Sequence, residues 1–250
     1  MRGALGGFLW GDEMIQPRFV LLIALLLSFS GLVGCGMFGF REWEWRQKLT
    51  VIVQTASGEV TASAVTLAEW EMPPKWFKIG DSGGGGGAGT LEGEALVLEV
   101  SSGEHLFVLL KGYSPETAVF TLADPPLKDK GREEFRRGLD SLESSRGVRE
   151  LPWNAYPVFA TIEDPSNPAS LKEVDPDHLD AAFGAGVRLK SVLLSVTDEP
   201  QTKGRVEAVL GFDFFRKWQA QFEEAYRKSR PFGQRPFAFN VTRDDFVTGD

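Results

Sequence analysis

The chain has 250 residues, 42% of them hydrophobic and 25% charged, with a formal net charge of −8. That length and mixture fit a globular chain of one ordinary domain plus an appendage, and exclude a disordered one. Acidic and basic residues are interleaved along it, which argues against nucleic acid, whose phosphates ask for a clustered basic surface.

At the N-terminus, residues 19–40 carry no charge and Arg18 precedes them. The densest stretch, residues 19–27, matches a signal-peptide core of roughly 7–15 apolar residues. Ser28, Ser30 and Gly31 follow, and then Leu32-Val33-Gly34-Cys35. This tetrad resembles the bacterial lipobox. The resemblance implies diacylation of the Cys35 thiol, cleavage before Cys35 and acylation of the new amino group. Two or more acyl chains anchor stably where one holds only marginally. Asp12 and Glu13 are out of character for a signal-peptide lead, whereas a start at Met14 gives the compact basic lead Met14-Ile15-Gln16-Pro17-Arg18.

The alternative is an uncleaved signal anchor over roughly residues 18–40, long enough for the ~20 residues that a membrane helix needs. Arg18 would then leave the C-terminal side outside. Either reading expects residues 41–250 to form one exported domain, held at the bacterial cell envelope on the extracytoplasmic side, with membrane lipid as its first partner. Gly36 resembles a pattern that some bacteria permit to the outer membrane, so inner and outer membrane both stay open.

Cys35 is the single cysteine, so the exported part has no thiol for a nucleophile, a CxxC redox motif or a thiolate-ligated metal. An exported domain of this size folds without disulfides.

From Trp43 the pattern alternates: Trp43, Trp45, Leu49, Val51 and Val53 lie to one side, with Gln47 and Ile52 as mismatches. That is a half-buried strand. Ser57-Gly58 reads as a turn into a second strand over 59–71, giving a hairpin. Trp43 and Trp45 have two readings, an interfacial belt near the anchor or the buried face of the first strand, and the alternation favours burial.

Pro73-Pro74 ends the pairing, and residues 80–90 form a glycine-rich loop. Gly84, Gly86 and Gly89 satisfy GxGxxG, but a phosphate cradle needs a strand before it and a helix after it, and here a strand follows. The expectation is a flexible loop and no nucleotide.

Strands follow at 95–100 and 106–110. Ser114-Pro115-Glu116 opens a short helix. A charged helix over 132–145 has Phe135, Leu139 and Leu142 on one face. A strand is expected at 156–162, and Asp175-Pro176 caps a helix that runs through Phe183 and stops at Gly184. Residues 187–196 form a strong strand. Residues 214–227 form an amphipathic helix with Phe215, Trp218, Phe222 and Tyr226 in a stripe that reads as core before it reads as a partner groove. Phe237, Phe239 and Val241 suggest a last strand. Strands grouped with helices between them give an α+β fold, mainly an antiparallel sheet with several flanking helices, preceded by the hydrophobic signal or anchor segment.

No catalytic or cofactor motif stands out, and no metal ligand set. Asp175, Asp177 and Asp180 lack the glycine and distal glutamate of a calcium loop and read as a cap with first-turn acids. Glu163-Asp164 supplies the carboxylates a hydrolase would need, though chance loop acidity explains them as well. His105 and His178 could each serve as a base, yet no GxSxG, SxxK or HExxH accompanies them. Asn240-Val241-Thr242 matches a glycosylation acceptor, discounted in a bacterial lipoprotein.

Two stretches resemble uncharacterised proteobacterial proteins, some with similar N-terminal anchors. The first is Arg46-Gln47-Lys48-Leu49-Thr50-Val51 with Gly58-Glu59-Val60 and Ser63-Ala64-Val65. The second is Asp175-Pro176-Asp177 through Phe183-Gly184, Gly186-Val187-Arg188-Leu189-Lys190 and Val196-Thr197-Asp198-Glu199-Pro200. The resemblance implies an envelope setting and assigns no activity. The expected function is therefore a non-enzymatic envelope lipoprotein that binds an envelope component or protein partner, with no cofactor. A carboxylate hydrolase and a signal-anchored subunit of a complex stand as alternatives.

Overall fold

The computed structural model describes residues 39–74, 76, 87–228 and 237–249, with 223–228 described as backbone only. Cys35, the lipobox and most of the glycine-rich loop lie outside the described residues. The described residues form two mainly antiparallel sheets with several helices, an α+β arrangement.

Strands β1 (Arg41–Thr55) and β2 (Gly58–Met72) pair along their whole length as a hairpin. Alternation in β1 is unbroken, with every odd-numbered residue from Trp43 to Thr55 buried. The two apparent mismatches obey the geometry: Ile52 faces outward, and Gln47 is fully buried on the inward side at 0% exposure. Trp43 and Trp45 are buried on that same side.

Strand β3 (Ala88–Glu94) joins β2 on one side and β9 (Arg188–Val196) joins β1 on the other. The short strands β10 (Val247–Thr248) and β6 (Val148–Glu150) form the edges of this six-stranded sheet, in the order β10-β3-β2-β1-β9-β6. Short edges limit pairing with other chains. β3 begins inside the glycine-rich range, and Gly89 lies against the Trp70 ring, where a Cβ would stand 2.5 Å from it.

The second sheet has the order β4-β5-β7-β8, built from β4 (Leu96–Ser101), β5 (Glu104–Val108), β7 (Phe159–Ile162) and β8 (Leu171–Glu173). The chain crosses between sheets at Gly93-Glu94-Ala95. Gly93 has φ +145°, and a Cβ there would meet Thr66 Cγ2 at 2.8 Å, so the corner needs glycine.

Both faces of the four-stranded sheet are covered. Leu106, Val108 and Phe159 face the hairpin and share its core with Leu98, Val51 and Trp45. The neighbours on the opposite face, Phe107, Leu109 and Ala160, pack against Phe214, Trp218 and Phe246. Each large side chain so buried contributes about 1.5–3 kcal/mol.

Helices α1 (Pro115–Leu122) and α2 (Arg132–Leu142) pack on the hairpin side, with Phe135, Leu139 and Leu142 inward as the spacing predicts. Ser114 stands at the cap of α1 but makes no side-chain cap bond. Helix α3 (Leu179–Phe183) follows a 3-10 turn, Pro176–His178, and ends at Gly184 with φ +94°. Helices α4 (Arg205–Leu210) and α5 (Phe214–Lys228) cover the far side. The expected strand at Phe237, Phe239 and Val241 is a 3-10 turn, Phe237–Asn240; the residue it buries fully is Ala238, so the aromatic alternation marks no sheet face.

Candidate functional site

At one end the four-stranded sheet extends beyond its cover. In the β7–β8 pair, Ile162 and Leu171 face the α5 core. Thr161 and Lys172, paired across the strands, face the other way, and α3 stands over them. Between lies an open cleft of about 500 Å³ whose charged wall is Glu104, Glu163, Lys172, Glu173, Asp175 and His178. Ala181, Ala182 and Phe183 of α3 supply its apolar side.

The sequence brings Asp175 and His178 here through the local rules of a helix start. Asp175 Oδ1 accepts from the Asp177 amide at 2.9 Å, as a cap does, while its Oδ2 meets His178 Nδ1 at 2.9 Å. That hydrogen bond raises the His178 pKa and lowers that of Asp175, with the nearby charges of Asp180 and Asp177 adding to the effect on the imidazole. Both side chains are exposed, so the pair is a solvent-screened one.

Glu163 lies in the cleft and is ion-paired with Lys172 across β7–β8. Asp164 does not line the cleft. Its carboxylate accepts from Ser166 Oγ at 2.7 Å and from the Ser166 amide at 2.9 Å, bonds that hold its pKa below the usual carboxylate value. Glu163 and Asp164 therefore do not converge on one ligand position. Among the described residues, no three His, Cys, Asp or Glu side chains are placed to hold a metal ion, and Asp175, Asp177 and Asp180 act as cap and first-turn acids.

His105 is in a different cavity, of about 450 Å³, between β2, β4 and α4. It stands directly across from Glu99 in the β4–β5 pair. The two histidines are thus not members of one site. Of the expected stripe along α5, Trp218 is buried and Phe215 and Phe222 are partly buried against the same core; Phe214, outside the stripe, is buried as well, and the Tyr226 side chain lies outside the described residues. Phe215 and Phe222 border a third cavity of about 600 Å³ with Phe239 and Arg243. Asn240 is exposed, and its carbonyl accepts from Lys111 Nζ.

Sequence reading missed Glu104, Lys172, Glu173 and the buried Glu94. The first three sit on strands of three to five residues, too short for alternation to register. A second polar group escaped as well, in the hairpin core. Trp45 Nε1 donates to Gln47 Oε1 at 3.0 Å. Thr66 faces Gln47 across the hairpin, and Tyr113 lies beside both. Burial pushes the Tyr113 hydroxyl well above its ordinary pKa against the opposing pull of Thr66 and Gln47, yet no contact among the three meets hydrogen-bond geometry.

Among the described residues, no helix is long and apolar enough to cross a membrane. Compared with known protein families, curated proteins and solved structures, the chain matches none.

Proposed function

We propose that this chain is a membrane-tethered bacterial envelope lipoprotein, acylated at Cys35, whose α+β domain binds a partner on the extracytoplasmic side. The observation that carries this reading is the charge-free run of residues 19–40 containing Leu32-Val33-Gly34-Cys35, with only five residues between Cys35 and the first strand at Arg41. Acyl chains on that cysteine would hold the domain close to the bilayer.

Binding is favoured over carboxylate hydrolysis by the state of the cleft. Glu163 is engaged by Lys172 and Asp164 by the Ser166 turn, so neither is left poised for proton transfer to a shared substrate atom. The cleft is open and charged, with a single apolar wall, which suits a polar protein or envelope component better than an enclosed small substrate.

Intact mass and labelled fatty acid, applied to the wild type and to Cys35→Ser, test the reading. Acylated, shortened wild type and unlabelled full-length Cys35→Ser are expected. An unlabelled, full-length wild type that still sits in the membrane would replace acylation with the uncleaved signal anchor.

A further inference from the structure

We infer that the domain rests on the bilayer through the α1–α2 side of its tethered end, with Trp76 and Phe120 in the headgroup region. The inference rests on the tethered reading above and adds an orientation to it.

The six residue steps from Cys35 to Arg41, at the start of β1, span at most about 22 Å. The end of the domain where β1 starts is therefore held near the lipid surface, and what that end exposes decides how it meets the bilayer. Gly39 packs beside Pro74, and Arg41 pairs with Met72 in the hairpin register. Two residues beyond Pro74 stands Trp76, 67% exposed.

The neighbouring helices continue this surface. Arg132, at the start of α2, donates to the Pro73 carbonyl. Phe120 of α1 is 43% exposed, lies 5.6 Å from the Phe135 ring and carries Lys130 over its face at 5.7 Å. Phe135 in turn packs 4.8 Å from Trp70, which is buried in the hairpin. An exposed tryptophan, and an exposed phenylalanine with a lysine over its face, are in keeping with a membrane–water interface, where amphipathic rings sit at headgroup level and cations meet phosphates.

The other side of the same end is unsuited to lipid. On the outer face of the hairpin Glu42 lies across from Glu71, and Glu44 from Glu69. Four carboxylates opposed in pairs repel one another and an anionic surface, and their desolvation is costly. The domain is thus expected to tilt, glutamates to water and α1–α2 to lipid. From Pro115 to Leu142 the chain carries five basic and six acidic residues, so the contact depends on the rings more than on net charge and should respond weakly to salt.

The test uses the full-length protein in vesicles of phosphatidylethanolamine and phosphatidylglycerol with phosphatidylcholine brominated near the headgroup. Tryptophan emission should be quenched, and Trp76→Phe should cut that quenching roughly twofold or more, as expected for an interfacial ring. Phe120→Trp should add a quenched component, a gain of signal that does not depend on losing a contact. Trp153→Phe should leave quenching unchanged, although Trp153 is the more exposed ring. Membrane-bound protein whose quenching is indifferent to Trp76→Phe and Phe120→Trp overturns the orientation while sparing the tether. Loss of quenching in Trp153→Phe would place a different face on the lipid. Protein absent from the vesicle pellet would overturn the tether and the orientation with it.

Discussion

Asp175 does two jobs with one carboxylate, and they can be separated by pH. One oxygen caps the Asp177 amide and the other meets His178. The folded His178 pKa lies above its ordinary 6.5, so the stabilisation it draws from the pair is full below that value and is lost as pH rises through the raised one. The folded Asp175 pKa lies below its ordinary 3.8, so its share is present above that value and is lost as pH falls through the lowered one. Asp175→Asn keeps a capping side chain while removing the charge. The His178 midpoint, followed by NMR of the imidazole, should then fall toward the ordinary value, held slightly above it by Asp177 and Asp180. The stability gap between wild type and Asp175→Asn should be widest at mildly acidic pH and close above neutrality. An unchanged midpoint in Asp175→Asn would mean that the pair does not persist in solution.

At the scale of elements, the attachment of α4 depends on a residue far from it in sequence. Glu94, at the corner between the sheets, is 3% exposed, and its carboxylate accepts from the Arg205 amide at 2.9 and 3.1 Å and the Val206 amide at 3.3 Å. It caps a helix whose own N-cap, Gly204, has no side chain to offer. Glu94→Gln exchanges charge-assisted bonds for neutral ones in a buried place and should cost about 1–3 kcal/mol in a denaturant melt; an unchanged midpoint would show that the cap carries no stability. This arrangement also marks the limit of what the sequence made legible. The long hairpin, the inward face of α2 and the cap at Asp175 could be read because each is local, signalled by residues two to four apart. Helix α4 and strand β3 could not. α4 takes its cap from a residue 111 positions away. The seven residues of β3 include two glycines and two glutamates, and they become a strand because Trp70 and the β2 backbone receive them. Of the cleft, Asp175, His178 and Glu163 were legible as chemical types. Their convergence under α3 was not, because it depends on where one sheet outlasts the cover of the other.

At the scale of the molecule, the four-stranded sheet is the wall between two cores that share little else. Its inward residues belong to the hairpin core and its outward residues to the α5 core. The α5 core is centred on Trp218, whose ring lies 5.2 Å from Phe214, 5.4 Å from Phe222 and 5.6 Å from Phe246. The hairpin core holds the longest strands and the fullest ladders, since β1 is paired with β2 on one side and β9 on the other. Truncating Trp218 to alanine should therefore cost about 3–5 kcal/mol, taken first from the α5 layer. In native-state hydrogen exchange, amides of 206–222 and 237–249 should open at lower free energy in Trp218→Ala, while those of β1, β2 and β9 stay with the slowest class. Equal acceleration in both layers would show that the two cores open as one cooperative unit. If the layers separate as expected, the proposed orientation would survive opening of the far layer, because β1 and the contact of Phe120 with Phe135 belong to the hairpin core.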